Sequence, residues 1–497
     1  MLLFNNYMDI FKQHIVKLLK KSTQLNENEI STLLETPPNP NFGDYSFPCF
    51  LIAQELKKNP VEVAQNLSKY FFRDEFISKV ECKGAYVNFF INQTKLNEIT
   101  IKDILKLKER YGSMYVKAKK ALIEHTSINP NAEPHVGRAR NALIGDSIVR
   151  LLRFNGYKTE THYYINDIGK QIAMLVLAAN GKKPRFHELI NLYININKKL
   201  EKDPSIEKKV FELLNKLEKG SKKVRKQFND IVEICVKGQS NILEELGIKY
   251  DVFDYESKYL FNKDCENLLK ELAKTSKLFT DNENRQVLDL RGYLPEESAY
   301  FVLTRADGTS LYGLRDLAYT IYKINKAKDR NIIVLGEDQK LYFSQLRAAL
   351  KLLNYKAPEI VHYSFVLLQE GKMSTRTGNV VLLSSFMEEA RKKAQNELDK
   401  RKNKDKNLAK VIGYGALKYS ILKNAPEKNV FFDWDQALTF EGESAPYIQY
   451  SYARANSILK KVKMDKRFNF SLLNKKEEIA LIKLLNNFPN VINKASR

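Results

Sequence analysis

The sequence predicts an α/β protein with a parallel β-sheet at its centre, a small α+β domain before it and an all-helical domain after it. Three patterns lead to this prediction. An apolar strand, an amphipathic helix and a second strand follow one another over residues 121–165, which is the order of a βαβ unit. The segment GAYVNFFIN has the alternation and aromatic content of a strand. From about residue 406 the apolar residues recur at helical spacing.

The N-terminal domain is expected over residues 1–115. It begins with an amphipathic segment, which we interpret as a structural helix and not as a targeting peptide. Asp9 interrupts this segment, and it has neither an Arg nor a small-residue cleavage site. A Pro- and Asn-rich loop leads to a helical stretch near 50–67 that Asn59-Pro60 breaks, and the strand GAYVNFFIN follows.

The central domain is expected over residues 116–405. The apolar run ALIEHT predicts a buried strand, residues 136–155 predict a helix that ends at a glycine, and YKTETHYYI predicts the next strand. Residues near 180–240 are rich in Lys, Glu and Asn at helical spacing, so we expect a helical insertion with solvated charges. The sheet pattern resumes with a hairpin signal at Asp307-Gly308 and with the apolar runs NIIVLG and IVHYSFVLL.

Composition narrows the class of protein further. Hydrophobic residues make up 43% of the 497 residues, which is typical of a globular protein with several domains. No apolar stretch has the length of a membrane span, so we expect no membrane partner. The net charge of +23, from 82 Lys+Arg and 59 Asp+Glu, favours a polyanionic partner, although an AT-rich genome would also supply many lysines. The cysteines form no Cys-x-x-Cys pair, which argues against a zinc or redox motif and for a reducing compartment: Cys49, Cys82, Cys235 and Cys265.

The strongest chemical signal is INPNAEPHVGRARNALIGD, where a strand ends, a loop turns and a helix begins at His135-Val136-Gly137. A helix N-terminus presents free N–H groups and a positive dipole end, which suit a phosphate. Gly137 allows a bulky ring to approach the backbone, and His135 can donate a hydrogen bond to a phosphoryl oxygen as charge develops there. Taken alone, a capping His and a packing Gly at an ordinary turn would explain the same residues.

Residues 123–171 closely resemble the first signature block of arginyl-tRNA synthetases, which are class I enzymes with a Rossmann-like catalytic core and a His-x-Gly-His motif. His135 and Gly137 match the first His and the Gly of that motif. The resemblance therefore implies that both bind ATP and take part in catalysis. Arg138 stands where the family usually has the second His. As a catalytic cation it would stabilise the α-phosphate, or its presence would weaken the first step, and the sequence leaves both open.

The second block is GKMSTRTGNVV, residues 371–381, a Gly-bounded basic loop. By itself it would be an ordinary surface loop. It resembles the Lys-Met-Ser-Lys-Ser loop of class I enzymes in a relaxed form, with Thr375 in place of the second Lys. An ammonium and a guanidinium on such a loop would neutralise charge on the leaving pyrophosphate. The resemblance implies catalytic roles for Lys372 and Arg376 and ATP contacts from Lys372, Met373 and Ser374.

The third block, ADGTSLYGLRDLAY, resembles the arginine-binding segment of the family. In a helix, Tyr312 and Asp316 would share one face. A phenol and a carboxylate on one face can bind a planar guanidinium, the carboxylate in a bidentate manner. Without the other blocks, a surface Asp and a half-buried Tyr would be the preferred interpretation. The resemblance implies further arginine contacts near the carboxyl ends of strands, where ligands bind in open α/β sheets: Glu124, Asn129 and Gln339.

The fourth block, residues 415–459, resembles the start of a helical anticodon-binding domain, which we expect over residues 406–497. Tyr447, Tyr450 and Arg454 are spaced for one helix face. Aromatic rings stack on unpaired bases and Arg binds phosphate or base edges, so these residues are predicted to bind tRNA. An aromatic stripe that packs a helix bundle is the alternative. The family's domain normally continues through several more helices, so we expect this domain to be incomplete.

The N-terminal segment NFGDYSFPCFLIAQELKKNP resembles the added tRNA-binding domain of the family. Taken together, the resemblances imply an arginine–tRNA ligase. The arginine carboxylate would attack the ATP α-phosphate, and the 3′-terminal adenosine of tRNA(Arg) would then attack the arginyl-adenylate. They imply ATP with Mg²⁺ as substrate, no protein-bound metal and a first step that requires tRNA. We expect a cytoplasmic monomer.

Three alternatives remain. A non-catalytic RNA-binding paralogue is favoured by Arg138 and by the early end of the helical domain, but the other motif residues argue against it. An adenylylating enzyme with another acceptor would have no use for the anticodon-like block. A synthetase for another amino acid is possible in principle, but Tyr312 together with Asp316 favours a cationic substrate.

Overall fold

The computed structural model describes residues 9–113, 119–367, 381–462 and 467–497. The described residues fall into two compact units. The first holds those within 1–117 and 463–497, together with the turn 154–157, and the second holds those within 118–153 and 158–462. The predicted loop residues Lys372, Met373, Ser374 and Arg376 lie outside the described residues.

The first unit combines helices with a small sheet. Its elements, in chain order, are α1 (Ile10–Ser22), α2 (Glu27–Leu33), β1 (Tyr45–Pro48), α3 (Phe50–Leu56), α4 (Pro60–Ser68), β2 (Ile77–Lys83), β3 (Tyr86–Ile91) and α5 (Gln93–Leu107). The strands form an antiparallel sheet of order β1-β3-β2. The predicted first helix and the break at Asn59-Pro60 are both present, because the Asp9 and Asn59 side chains cap the N-termini of α1 and α4.

The second unit begins with an α/β pattern. Its first elements are β4 (Lys120–Glu124), α6 (Val136–Phe154), β5 (Lys158–Ile165), α7 (Lys170–Ala179), α8 (Leu189–Lys202), α9 (Ser205–Glu218), α10 (Lys222–Glu245), β6 (Val252–Tyr255), α11 (Ser257–Phe261), α12 (Asp264–Ala273), β7 (Leu278–Thr280), β8 (Gln286–Asp289) and β9 (Tyr300–Val302). The predicted βαβ unit is present, and Gly156 has the φ of +87° that a helix-terminating glycine adopts.

The remaining elements are α13 (Tyr312–Ala327), β10 (Arg330–Gly336), α14 (Lys340–Leu352), β11 (Glu359–Tyr363), β12 (Val366–Leu367), α15 (Leu383–Lys400), α16 (Lys406–Leu422), β13 (Val430–Phe431), α17 (Trp434–Leu438), α18 (Ala445–Lys461) and α19 (Lys476–Ala495). No helix within the described ranges is long and apolar enough to cross a membrane. The C-terminal region is helical as predicted, except for β13. This two-residue strand pairs in parallel with β12. The segment IVHYSFVLL, predicted as one strand, contributes to two short strands, β11 and β12.

A five-stranded parallel sheet of order β11-β10-β4-β5-β6 forms the centre of the second unit and confirms the predicted fold class. Four of the five residues of β4 and four of the seven residues of β10 are buried, as expected for strands covered on both faces. The predicted insertion forms helices α8 to α10, which pack with α7 around a core that includes Val210 and Phe228. A separate antiparallel sheet holds β7, β8 and β9.

The last helix packs within the first unit. The Asn97 side chain of α5 donates hydrogen bonds of 2.9 Å to the carbonyl oxygens of Phe470 and Leu473, and the Tyr111 hydroxyl donates one of 2.8 Å to the Leu485 carbonyl. Residues 467–497 therefore form one compact unit with the N-terminal residues. Sequence periodicity predicts the helix but says nothing about its packing partner.

Candidate active site

The site lies at the carboxyl edge of the parallel sheet, where the strands β4, β5 and β10 end side by side. Glu124, the last residue of β4, is in register with His162 of β5 and with Ile333 of β10. The loops that leave this edge carry Asn129 and Gln339. Parallel sheets bind their ligands at this edge, so the topology places several predicted site residues near one another.

The His-Val-Gly segment is hydrogen-bonded to the residues that follow the predicted pyrophosphate loop. The N–H of Val136 donates to the Val381 carbonyl at 3.1 Å, and the N–H of Leu383 donates to the Pro134 carbonyl at 2.8 Å. Between them, His135 forms an antiparallel bridge with Leu382. Two motifs that are far apart in the sequence are thereby joined at their backbones.

The imidazole of His135 is half-buried, and its buried Nδ1 has no hydrogen-bond partner among the described residues. Burial, assisted by the nearby charge of Arg138, lowers the pKa of His135 to about 4. The ring is therefore neutral near pH 7. Gly137 lies in the first turn of α6, and Arg138 is exposed beside it. A neutral imidazole with an unpaired nitrogen at a helix N-terminus is suited to a hydrogen bond with a phosphate.

Two polar residues inside α6 fix this helix, and the sequence analysis did not identify either. The Arg140 guanidinium is fully buried and donates to the carbonyl oxygens of Ser364 at 2.7 Å and of Ala425 at 3.0 Å. The Asn141 amide donates to the Val334 carbonyl at 2.9 Å. Arg140 lies four residues after Val136, on the apolar face of the helix. A charged residue in that position was the signal that could have revealed it.

Asn141 also holds the strained loop after β4. The N–H of Thr126 donates a 2.6 Å hydrogen bond to the side-chain oxygen of Asn141. Thr126 has a φ of +84°, a conformation that costs a β-branched residue energy, and Ser127 follows with +40°. The bond therefore keeps the backbone after Glu124 in a conformation that it would not adopt alone.

The two residues predicted to bind arginine lie at the start of α13. Tyr312 is its first residue and Asp316 follows one turn later. The Asp316 carboxylate accepts a hydrogen bond of 2.8 Å from the Tyr342 hydroxyl, and the Tyr342 and Tyr312 rings lie 4.7 Å apart. Tyr312 is 53% exposed, so its ring is accessible to a ligand. Tyr342, on α14, is a site residue that the sequence analysis missed.

Glu124 is buried and forms an ion pair with Lys323 of α13, which is also buried. Burial raises the pKa of Glu124, and the Lys323 ammonium opposes that shift. Burial likewise raises the pKa of Asp316, again against the effect of Lys323. The structure thus brings Glu124, Asp316 and a lysine that the sequence analysis did not single out into one electrostatic cluster.

Asn129 and Gln339 lie at the same edge of the sheet, but their side chains do not bond to Glu124, Tyr312 or Asp316 among the described residues. Asn129 is exposed, and its carbonyl accepts a 3.1 Å hydrogen bond from Gln239. Gln339 donates to its neighbour Asp338 at 3.1 Å. Both amides are therefore near the edge without being part of the charged cluster.

The predicted tRNA-binding residues lie on one exposed face of α18. Tyr447 is 46% exposed and Tyr450 is 50% exposed, and Arg454 is exposed one turn further along. The opposite face packs on α16, where Gly415 leaves room for the Gln449 side chain. The rings are accordingly available for stacking and do not pack a helix bundle in the described part of the chain.

Comparison with known proteins identifies the family. The family model for the catalytic domain of class I (R) tRNA synthetases matches residues 100–434. The arginyl-tRNA synthetase N-terminal domain matches residues 9–91, and the DALR anticodon-binding domain matches residues 448–497.

Relatives of high identity cover almost the whole chain. The arginine–tRNA ligase of Methanocaldococcus jannaschii is 39% identical over 98% of this chain and 88% of its own length. That of Methanocella arvoryzae is 40% identical over 90% of this chain and 81% of its own length. The solved structure of the Thermus thermophilus arginyl-tRNA synthetase has a TM-score of 0.78 and 27% identity, and covers 99% of this chain and 88% of that one. The chain belongs to the arginyl-tRNA synthetases, because the family model for their catalytic domain matches residues 100–434 and a relative that is 39% identical covers 98% of this chain.

Proposed function

We propose that this chain activates L-arginine with ATP and transfers it to the 3′-terminal adenosine of tRNA(Arg). The observation that carries the proposal is the backbone pairing of Val136 with Val381 and of Leu383 with Pro134. Val381, the last residue of the GKMSTRTGNVV segment, therefore lies beside the His135 helix start. A phosphate-binding helix N-terminus and a basic loop on opposite sides of one nucleotide are the arrangement that adenylate formation requires.

In the first step the arginine carboxylate attacks the α-phosphate of ATP and pyrophosphate leaves. His135 and the N–H groups at Gly137 bind the α-phosphate as its charge develops. Lys372 and Arg376 neutralise the leaving pyrophosphate, with Met373 and Ser374 contacting the nucleotide. Arg138, exposed at the helix start, supplies a cation in place of a second imidazole. No protein nucleophile takes part, because catalysis is by positioning and charge stabilisation.

Arginine specificity comes from the face of α13 that carries Tyr312 and Asp316. The Asp316 carboxylate binds the guanidinium in a bidentate manner while the Tyr312 ring packs on it. Glu124 contributes a second carboxylate from the end of β4. Asn129 and Gln339 orient the α-amino and carboxylate groups of the substrate from the neighbouring loops.

In the second step a ribose hydroxyl of the tRNA attacks the arginyl-adenylate. Tyr447, Tyr450 and Arg454 on α18 bind the anticodon arm by stacking and by phosphate contacts. The functional division is an N-terminal tRNA-binding domain over 1–115, a catalytic domain over 116–405 and an anticodon-binding domain over 406–497. The enzyme acts as a cytoplasmic monomer.

Mg²⁺ would arrive with the phosphates of ATP. Within the described residues there is no group of three or more His, Cys, Asp or Glu side chains that could hold a metal ion. Hard divalent cations that accompany nucleotides usually take phosphate oxygens and water as ligands.

The test is arginine-dependent ATP–pyrophosphate exchange, with and without tRNA(Arg), with lysine and citrulline as alternative substrates. We expect exchange with arginine only, and only when tRNA is present. Exchange that is absent in every case, while ATP still binds in calorimetry, would support a non-catalytic RNA-binding protein instead. Arg138→His serves as the matched variant, since it restores the usual motif without altering the arginine pocket.

A further inference from the structure

Lys323 is a lysine in the interior of the catalytic unit. It is 1% exposed, and its ammonium contacts the Glu124 carboxylate, which is 5% exposed. A buried ion pair rarely adds net stability, because desolvating two charges costs about as much as their attraction returns. The pair therefore calls for an explanation other than stability.

The position of Lys323 on α13 relates it to the arginine pocket. Asp316, Thr320 and Lys323 follow one another at i, i+4 and i+7, so they lie on one face of the helix. The Thr320 hydroxyl, which is fully buried, lies 3.5 Å from the Asp316 carboxylate. The helix that presents Asp316 to the substrate thus also delivers a cation to Glu124, two turns further along.

The Lys323 ammonium lowers the pKa of both pocket carboxylates, against the effect of burial. Asp254 of β6, a third nearby carboxylate, accepts a 2.8 Å hydrogen bond from Tyr319 and lies 2.5 Å from the His162 ring. Arg315 is paired with Glu256 at 2.7 Å. The titratable and charged groups that face Glu124 come from three elements: Asp316, Tyr319 and Lys323 of α13, Asp254 of β6 and Tyr164 of β5.

We propose that Lys323 is a positioning and specificity-determining residue that holds Glu124 in place and sets the charge of the arginine pocket. Among these three side chains, Glu124 and Asp316 contribute two negative charges and Lys323 one positive charge, so together they carry one net negative charge. The single positive charge of a guanidinium then cancels it. This inference rests on the roles of Glu124 and Asp316 proposed above.

The account predicts how the pocket responds to each change of charge. Without Lys323, two carboxylates share a site of low dielectric, and their repulsion raises the pKa of one of them. Glu124 would then take up a proton at a higher pH than in the wild type, and arginine binding would weaken as the pH falls. With Glu124→Gln alone, Lys323 remains unpaired, the three side chains together become neutral, and the pocket no longer attracts an incoming cation.

The decisive experiment compares Glu124→Gln with the double variant Glu124→Gln/Lys323→Met in the full-length protein. The KM for arginine and kcat are measured by tRNA-dependent exchange, and arginine binding by calorimetry, between about pH 6 and pH 9. We expect Glu124→Gln to raise the KM by about a hundredfold. The double variant should recover about tenfold of that loss, because its net charge is again minus one. The double variant removes both charges of the buried Glu124–Lys323 pair, whereas the single variant leaves Lys323 without its partner. The double variant should therefore fold at least as well as the single variant.

Lys323→Met and Lys323→Arg provide the second comparison. We expect Lys323→Met to raise the KM at about pH 6 by about tenfold more than at about pH 8, with kcat changed less, and Lys323→Arg to remain near the wild type. A double variant that binds arginine no better than Glu124→Gln would overturn the proposal, as would a Lys323→Met enzyme with an unaltered pH profile. If Glu124→Gln and Asp316→Asn themselves leave the KM unchanged, the assignment of the pocket fails, which is a separate result.

Discussion

The hydroxyl of Tyr342 donates a 2.8 Å hydrogen bond to the carboxylate of Asp316. Tyr342 belongs to α14, which follows β10, whereas Asp316 belongs to α13, which precedes it. The orientation of the carboxylate proposed to bind the guanidinium therefore depends on a second helix. Each carboxylate oxygen can accept more than one hydrogen bond, so this bond limits rotation of the side chain and still leaves acceptor positions on both oxygens for the substrate.

Tyr342→Phe removes this hydrogen bond and keeps the ring. We expect the KM for arginine to rise about five- to tenfold, the equivalent of one hydrogen bond to a charged group, with kcat changed less than twofold. Steady-state exchange at saturating ATP and tRNA measures both constants. Tyr322→Phe, on the same helix as Asp316 but without a hydrogen bond to it, is the control. A loss in kcat with an unchanged KM would contradict the positioning role.

His135 should remain uncharged over the working pH range. Its pKa is lowered to about 4 by burial and by Arg138, whereas the pKa of a His in an unfolded chain is about 6.5. The unfolded chain therefore binds more protons below about pH 6.5, so this residue lowers stability progressively as the pH falls from about 6.5 to 4. We expect no titration of the His135 ring between about pH 6 and pH 8 in heteronuclear NMR, with His135→Asn used for assignment. A midpoint near pH 6.5 would refute the buried, neutral imidazole.

Arg140 links the His-Val-Gly helix to Ser364, which lies between β11 and β12, and to Ala425, which follows α16. Arg140→Met leaves the Ser364 and Ala425 carbonyls without their donor, so we expect a loss of roughly 2–4 kcal/mol in unfolding free energy. Arg140→Lys keeps the charge but not the planar fork, and should recover only part of this loss. Urea unfolding monitored by circular dichroism gives both values. Equal stability of all three proteins would show that these hydrogen bonds contribute nothing.

The exposed face of α18 should contribute to tRNA binding alone. Tyr450→Ala is expected to weaken tRNA(Arg) binding by about 1–3 kcal/mol, as for loss of one stacked base, and to leave ATP and arginine binding unchanged. Tyr452→Ala, an exposed tyrosine of the same helix outside the predicted face, is the matched control. Filter binding at fixed salt provides the measurement. Equal effects of the two variants would indicate that the face defined by Tyr447, Tyr450 and Arg454 has no special role.

Local sequence patterns were sufficient to predict the helices and strands that carry the site, but not the contacts between them. The βαβ unit was predictable because apolar periodicity distinguishes β4, α6 and β5, and the i, i+4 spacing predicted that Tyr312 and Asp316 share a face. The pairing of β12 with β13 was not predictable, since two-residue strands leave no periodic signal. Tyr342, Lys323 and Arg140 were missed for a related reason. Each acts through a residue that is distant in sequence, and each resembles an ordinary helix residue until the partner is known.

The most direct test of the account is the comparison of wild-type enzyme with Asp316→Asn in tRNA-dependent ATP–pyrophosphate exchange, with arginine and citrulline as substrates. Citrulline has nearly the shape of arginine without its positive charge. If the Asp316 carboxylate binds the guanidinium, the variant should lose at least about a hundredfold in kcat/KM for arginine and discriminate far less between arginine and citrulline. An Asp316→Asn enzyme that retains the wild-type preference for arginine would contradict the assignment of this pocket.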